Sequence, residues 1–189
     1  MSVALESRLE AILRGSAPLM QVLHVARELN LPDPLVFSGA VYQPVLNHLT
    51  GRDSAYGIKD YDLGYFDPDT SWEAEDEVIR RVAARFESPL RDLLEVRNQA
   101  RVHLWFEDKF KEAYAPLTRT AEAPERFTSP LFAVGVRLGA DDSFVIVAPF
   151  GLEDLFALRL RPNPRRATSG FARTAGAAKA RWPELTIET

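Results

Sequence analysis

The sequence predicts an α+β domain in which helices pack against a β-sheet. The first 30 residues carry apolar side chains at helical spacing, residues 35–49 change from an apolar strand pattern to a helical one, and residues 131–148 have the pattern of a β-hairpin. The chain has 189 residues, of which 46% are hydrophobic. A chain of this length and composition can bury one substantial core.

Two helices are predicted in residues 1–30. Each has an apolar stripe, formed by Leu5, Leu9, Ile12 and Leu13 in the first helix and by Leu19, Val22, Leu23, Ala26 and Leu29 in the second. Gly15 separates the two helices, and Pro32 and Pro34 end helical structure before the first strand. We therefore expect both helices to belong to the scaffold.

The next segment reads as a strand, a tight turn and the start of a helix. The apolar run that begins at Leu35 breaks at Ser38-Gly39-Ala40, and apolar residues then recur at helical spacing up to Leu49. The backbone N–H groups and the dipole at a helix N-terminus can hold a phosphate group. Such turns more often serve ordinary chain reversal, so this pattern alone does not decide between the two roles.

Asp60 and Asp62 lie one residue apart in a mostly apolar stretch. In a β-strand, residues i and i+2 face the same side, so these two carboxylates would project together. Two adjacent carboxylates repel each other unless a proton or a divalent cation lies between them, and dense oxygen ligands suit Mg²⁺ or Mn²⁺. In the alternative interpretation, the two aspartates have no functional role and lie at the end of a strand where it is exposed to water.

A phosphate-holding turn followed by a metal-holding strand is the arrangement that nucleotidyl transfer requires. At these residues the chain resembles the nucleotidyltransferase superfamily, which includes DNA polymerase beta and kanamycin nucleotidyltransferase. Further stretches, at 98–103, 133–137 and 148–156, are similar to one uncharacterised bacterial branch of it. The resemblance extends over residues 35–165.

The resemblance implies a polymerase-beta-like fold, with a short mixed β-sheet and helices packed mainly on one face. It implies that Asp60 and Asp62 bind one or two Mg²⁺ or Mn²⁺ ions, while Ser38, Gly39 and Ala40 hold the triphosphate of an NTP. A hydroxyl of an acceptor would attack the α-phosphate and release pyrophosphate. The superfamily usually carries a third carboxylate on a neighbouring strand, which binds metal and activates the attacking hydroxyl, and Glu95 is the candidate here.

Two departures from the superfamily pattern keep other functions open. Ala40 stands where the superfamily usually has Ser, so a phosphate-binding hydroxyl is absent or is supplied by Ser38. A polar insertion at residues 50–57 also separates the turn from Asp60. The alternatives are a non-catalytic nucleotide-binding or partner-binding protein that kept the fold, and a phosphodiesterase or nuclease that uses the same metal pair.

A second polar cluster lies at residues 98–106. Val102–Phe106 is predicted to be a strand, on which Arg101 and His103 would share a face. We expect Asn98 and Arg101 to contact the phosphates or sugar of the nucleotide, and His103 to accept a proton or orient a group beside the carboxylates. In the equally weighted alternative, these side chains only tie neighbouring strands together.

The other predicted elements are structural. Asp67-Pro68-Asp69 forms a turn, and Thr70 to Glu73 fits a capping box that opens a helix. A hairpin over 132–148, a short strand at 158–160 and a helix over 170–182 follow. We expect a single domain over 1–189, made of a helical pair (1–30), a core (31–165) and a C-terminal helical tail (166–189).

Composition excludes several classes of function. The chain has no cysteine and three histidines with no metal-pair spacing, which argues against disulfides, thiolate chemistry and zinc. Its net charge of −4 argues against a broad nucleic-acid surface. No apolar run reaches membrane-spanning length and no secretion signal is present, so we expect a cytoplasmic protein without a membrane partner. Neither the acceptor nor an oligomeric state is indicated.

Overall fold

A five-stranded mixed sheet forms the framework of the protein in a computed structural model that describes residues 2–167 and 169–188. Its strands are β1 (Leu35–Phe37), β2 (Tyr61–Tyr65), β3 (Leu94–Asn98), β4 (Gly135–Leu138) and β5 (Phe144–Val147). The strand order is β3-β2-β1-β4-β5, and β2 and β3 are parallel while the other pairs are antiparallel. The predicted α+β class with a mixed sheet is confirmed.

Helices precede, connect and follow these strands. They are α1 (Val3–Arg14), α2 (Ala17–Glu28), α3 (Gly39–Leu49), α4 (Trp72–Ala83), α5 (His103–Phe110), α6 (Glu153–Phe156) and α7 (Phe171–Arg181). Short 3-10 segments occupy 90–93, 99–101 and 120–126. A small parallel sheet pairs β6 (Arg159–Leu160) with β7 (Thr186–Ile187). Among the described helices, none is long and apolar enough to cross a membrane.

The two faces of the sheet are covered unequally. Val36 of β1 is paired with Leu63 of β2, and both belong to the large core that also contains the apolar residues of α1, α2 and α3. The next pair in the register, Phe37 and Asp62, lies on the opposite face, because successive side chains of a strand alternate. Phe37 belongs to a much smaller apolar cluster, and Asp62 therefore lies on the less covered face.

Most predicted elements are present. The two N-terminal helices are formed, and Leu9, Leu13 and Leu19 are fully buried. The helix predicted after the Asp67 turn begins at Trp72. Within the predicted capping box, Ser71 is the N-cap residue, and its hydroxyl accepts a hydrogen bond from the N–H of Ala74. The hairpin is formed by β4 and β5, which are shorter than predicted, and α7 is the predicted C-terminal helix.

The predicted strand at 102–106 is wrong. Strand β3 ends at Asn98, the chain then makes a 3-10 turn, and α5 begins at His103. The Asn98 side chain causes this change, because its oxygen accepts the N–H of Ala100 and so caps the turn that replaces the extended backbone. Arg101 and His103 consequently do not share a strand face.

Gly64 allows aromatic packing on the less covered face of the sheet, and Gly64→Ala is expected to destabilise the fold. An added Cβ would lie 2.6 Å from Cε1 of Phe37 and 3.0 Å from Cγ2 of Thr120. Overpacking of this kind costs about 1–3 kcal/mol, which urea unfolding would measure.

The matched control is Gly176→Ala, in the exposed part of α7, where an added Cβ meets no heavy atom within 4 Å. This substitution should raise the free energy of unfolding by about 0.5–1 kcal/mol, because alanine favours a helix over glycine. Equal effects of the two substitutions would contradict the packing argument.

Candidate active site

Three acidic residues meet on the less covered face of the sheet. The parallel register of β2 and β3 places Asp62 directly beside Glu95. Asp60 lies two residues before Asp62, so its side chain projects toward the same side. Neighbouring strands are about 4.8 Å apart, a distance over which carboxylates repel strongly. The structure thus brings together the three carboxylates that the sequence singles out.

The pKa values of Asp60 and Asp62 are raised by burial and by the nearby negative charges. Burial raises the pKa of Asp62 to about 7, and the charges of Asp60 and Glu95 add to the effect, while Arg97 opposes it. The pKa of Asp60 is also raised, mainly by burial and secondly by the negative charge of Glu95. The site therefore favours a bound proton or a cation between the carboxylates.

A divalent cation at these carboxylates would need further ligands from water or substrate. Among residues 2–167 and 169–188, no group of three or more Asp, Glu, His or Cys side chains is placed to hold a metal ion by itself. Mg²⁺ is usually held by one or two carboxylates together with water and substrate phosphates, so an all-protein cage is not required. Oxygen ligands of this kind suit Mg²⁺ or Mn²⁺ rather than a softer metal.

The turn at Ser38, Gly39 and Ala40 leads from β1 into α3. Ser38 has a φ of 62°, which is unusual for a residue other than glycine, and its carbonyl accepts the N–H groups of Val41 and Tyr42. Gly39 and Ala40 are the first residues of α3, and N–H groups at such positions have no acceptor within the helix. Gly39 and Ala40 are buried as whole residues, so the half-buried Ser38 is the most accessible residue of the turn.

Gly39 connects this turn to the carboxylates. A Cβ at Gly39 would lie 2.8 Å from Nε2 of Gln43 and 3.7 Å from Oδ1 of Asp60. Gln43 is buried, and its Oε1 has no hydrogen-bond partner within the described residues. A buried acceptor without a partner costs about 1–3 kcal/mol. A hydrogen-bond donor such as water would satisfy it.

Two adjoining clefts open on this face of the sheet. The carboxylate cleft has a volume of about 210 Å³ and is lined by Asp62, Glu95 and Arg97, among others. The basic cleft has a volume of about 600 Å³ and extends from Ser38 to α7. Both clefts share Phe106, Lys109, Arg126 and Phe127, so they form one continuous surface.

Five cationic side chains line the two clefts, and the sequence analysis did not identify any of them as site residues. They are Arg97, Lys109, Arg126, Arg173 and Arg181. Within the described residues, none of them has a carboxylate oxygen within 4 Å. The charge of Arg181 acts on both Asp60 and Tyr42, which places it near the Gly39 turn. These residues come from four different elements and form no motif, so no sequence signal pointed to them.

Asn98 and Arg101 serve the scaffold. The Asn98 amide donates to the carbonyls of Asp67 and Asp69, and its oxygen accepts the N–H groups of Asp67 and Ala100. Arg101 donates to the carbonyl of Ser71 and pairs with Glu75 at 3.2 Å. These contacts favour the alternative in which both residues tie elements together. Their predicted contacts with nucleotide are not supported by this geometry.

His103 is not brought to the carboxylates either. It begins α5, its Nδ1 is buried without a partner in the described part of the chain, and it lines neither cleft. Its predicted role as a proton acceptor depended on a strand that does not form. The site therefore keeps the three carboxylates and the Ser38 turn from the sequence prediction and gains the five cations.

The arrangement of turn, carboxylates and sheet agrees with what comparison with known proteins finds. A nucleotidyltransferase family profile matches residues 24–187. The chain belongs to the nucleotidyltransferase family. It is similar to a solved structure described as a CCA-adding enzyme head domain, with a TM-score of 0.74 and 25% sequence identity over 96% of this chain and 94% of that one.

A second solved structure, described as a tRNA-processing enzyme complex, matches with a TM-score of 0.47 and 17% identity over 88% of this chain and 43% of that one. A search of curated proteins gave no match. The predicted superfamily, fold and enzyme class are confirmed by the family profile and the first structure. The family implies a nucleoside triphosphate as substrate.

Asp62→Asn is expected to stabilise the metal-free nucleotidyltransferase at pH 8 and to change its stability little at pH 4. The folded-state pKa of Asp62 is about 7, above the ordinary value of 3.8. Between these pH values the folded protein holds a proton that the unfolded chain has released, so wild-type stability falls as the pH rises toward 7. The gain at pH 8 is on the order of 2–4 kcal/mol, measured by urea unfolding with a chelator present.

The control for this pH dependence is Asp141→Asn, because hydrogen bonds from Ser143 lower the pKa of Asp141. This substitution should lower stability at pH 8 and have less effect at low pH, which is the opposite sign. An Asp62→Asn gain of equal size at pH 4 and pH 8 would disprove the proposed cause.

Asn98→Ala is expected to destabilise the protein by about 2–4 kcal/mol, because it removes a buried amide and leaves backbone groups of Asp67 and Asp69 without partners. Urea unfolding measures this loss. Normal stability combined with weakened nucleotide binding would restore the predicted phosphate-binding role of Asn98.

Proposed function

We propose that this nucleotidyltransferase uses a divalent metal to transfer an NMP from an NTP to a hydroxyl group of an acceptor, with release of pyrophosphate. The observation that carries the proposal is the meeting of Asp60, Asp62 and Glu95 beside the Gly39 turn on one face of the sheet. The similarity to a CCA-adding enzyme head domain supports a nucleotide-adding reaction.

Asp60 and Asp62 are the residues that would hold the metal. When bound, Mg²⁺ or Mn²⁺ supplies positive charge that stabilises the entering and leaving oxygens of the reaction. Both carboxylates have raised pKa values, so cation binding would release protons and strengthen with pH up to about 7 for Asp62.

The Ser38 turn and the basic cleft would hold the triphosphate. The N–H groups of Gly39 and Ala40 lie at the positive end of the α3 dipole. The Ser38 hydroxyl makes no cap and lines the basic cleft, so it can replace the hydroxyl that the superfamily usually supplies one residue after the glycine. Arg173 and Arg181 line the same cleft and would neutralise the leaving pyrophosphate.

Glu95 would act on the acceptor. It lies beside Asp62 on the outer strand β3, and it lines the carboxylate cleft. A carboxylate at this position can accept the proton of an attacking hydroxyl that enters from the carboxylate cleft. Donor and acceptor would thus approach the metal from different clefts, which is the geometry of an in-line displacement.

The test is thermal unfolding of the protein with each NTP, in the presence and absence of Mg²⁺ or Mn²⁺. A ligand at 100 times its dissociation constant adds about 2.7 kcal/mol to stability. We expect a metal-dependent increase in Tm with at least one NTP, and we expect Asp60→Asn to abolish it. Glu77→Gln, an exposed carboxylate of α4, is the matched control and should keep the wild-type increase.

The outcomes of this test separate the alternatives. A shift that is equal with and without metal, and unchanged in Asp60→Asn, would overturn the catalytic proposal in favour of a non-catalytic nucleotide-binding protein. Release of pyrophosphate from the stabilising NTP in the presence of acceptor would support transfer. Release of nucleotides from an oligonucleotide, without use of NTP, would instead indicate a phosphodiesterase or nuclease.

A further inference from the structure

We propose that the polar insertion at residues 50–57 (the inserted loop) positions Arg181 for binding of the triphosphate. Tyr56 and Gly57 of this loop are positioning residues, because they contact Arg181 and line neither cleft of the active site. The inference rests on the proposed role of Arg181 as a phosphate-binding residue. It assigns a function to a segment by which the chain departs from the superfamily pattern.

A buried amide joins the inserted loop to α3 and to the end of α7. Asn47 of α3 is fully buried, and its Nδ2 donates to the carbonyls of Ser54 at 3.2 Å and Tyr56 at 2.8 Å. Its Oδ1 accepts the Nε1–H of Trp182, which directly follows α7, at 2.9 Å. The loop is therefore a fixed structure between two helices.

The inserted loop holds Arg181 at both its side chain and its backbone. Nη1 of Arg181 donates to the carbonyl of Gly57 at 3.0 Å, and the hydroxyl of Tyr56 donates to the carbonyl of Arg181 at 3.4 Å. Cζ of Arg181 lies 4.6 Å from the centroid of the Trp182 ring, and the Tyr56 ring packs edge-on against Trp182 at 5.9 Å. These contacts restrict the guanidinium to one orientation.

The backbone at Gly57 is built for this close approach. Its φ is 74°, and an added Cβ would lie 3.3 Å from Cη2 and Cζ2 of Trp182 and 3.5 Å from Nη1 of Arg181. Glycine is the residue that adopts this conformation without strain. A loop that only connected α3 to β2 would not need a glycine packed against the end of α7.

The contacts leave most of the Arg181 guanidinium available to an anion. Arg181 lines the basic cleft with Ser38, and in the described part of the chain no carboxylate oxygen lies within 4 Å of it. Among the described residues that line this cleft, Glu112 is the one carboxylate, and it is paired with Arg166 at 2.7 Å. A cation that is already ordered loses less rotamer freedom on binding, so a fixed Arg181 binds phosphate more tightly than a mobile one.

The experiment measures binding of inorganic tripolyphosphate with Mg²⁺ by isothermal titration calorimetry, because this probe carries the phosphates of an NTP without a base. We expect Arg181→Gln to weaken binding about 10- to 150-fold, as for the loss of a charged hydrogen bond. Tyr56→Ala should weaken it about 3- to 10-fold, because Arg181 then has to be ordered on binding. In the Arg181→Gln background, Tyr56→Ala should have no further effect, since its action passes through Arg181.

Two variants of the same loop are the controls. Ser54→Ala changes an exposed residue that contributes its backbone carbonyl to the contact with Asn47, and it should keep the wild-type affinity. Tyr56→Phe keeps the ring that packs on Trp182 and should restore most of the affinity lost in Tyr56→Ala. Urea unfolding of each variant gives its stability separately from its affinity.

The outcomes distinguish this inference from the proposed function. If Tyr56→Ala binds tripolyphosphate like the wild type, or loses the same factor with and without Arg181, the inference is overturned and the transfer proposal stands. If Arg181→Gln binds like the wild type, Arg181 is not a phosphate-binding residue, and the inference fails while the metal site tested by Asp60→Asn is unaffected. If the wild type binds NTP with metal but not tripolyphosphate, the inference is overturned as well.

Discussion

The parallel pairing of β2 with β3 is the contact on which the candidate site depends. It sets Asp62 beside Glu95, on the face that the large core leaves uncovered, and Asp60 precedes the same strand. The resulting repulsion, combined with burial, raises the pKa of Asp62 to about 7. Without a cation, the fold tolerates this crowding by holding a proton. With one, the same crowding becomes a source of affinity, because binding relieves the repulsion. The carboxylates thus lower the stability of the metal-free fold above about pH 7.

The rest of the site is assembled around this pair from distant parts of the chain. The turn at Gly39 comes from the junction of β1 and α3, Arg126 from a 3-10 segment, and Arg173 and Arg181 from the last helix. Helix α7 is therefore more than a scaffold appendage, since it forms one wall of the basic cleft. In the proposed reaction, the carboxylate cleft would hold the metal and the acceptor, and the basic cleft would hold the triphosphate. Helix α5 lines both clefts.

Prediction from sequence succeeded where local pattern and chemistry agreed. The apolar periodicity of α1 and α2 and the alanine-rich composition of α7 predicted helices, and the pattern near Phe144 predicted a hairpin. It failed at residues 102–106, where an apolar, aromatic run has the composition of a strand. There a tertiary contact decided the outcome, because Asn98 uses its side chain to hold the Asp67 turn and to cap the chain after β3. The roles predicted for Asn98, Arg101 and His103 depended on that strand.

The sequence by itself indicated the family, the neighbouring carboxylates Asp60 and Asp62 and the turn at Gly39, because the spacing of residues within one strand or one turn follows directly from backbone geometry. It also indicated Glu95 through its resemblance to relatives. Only the tertiary structure decided that Glu95 lies beside Asp62 and that Asn98 and Arg101 contact the scaffold. It also decided that the two clefts are lined by five cations, namely Arg97, Lys109, Arg126, Arg173 and Arg181. These relations depend on strand register and on the packing of elements far apart in the chain, and local spacing contains no information about either.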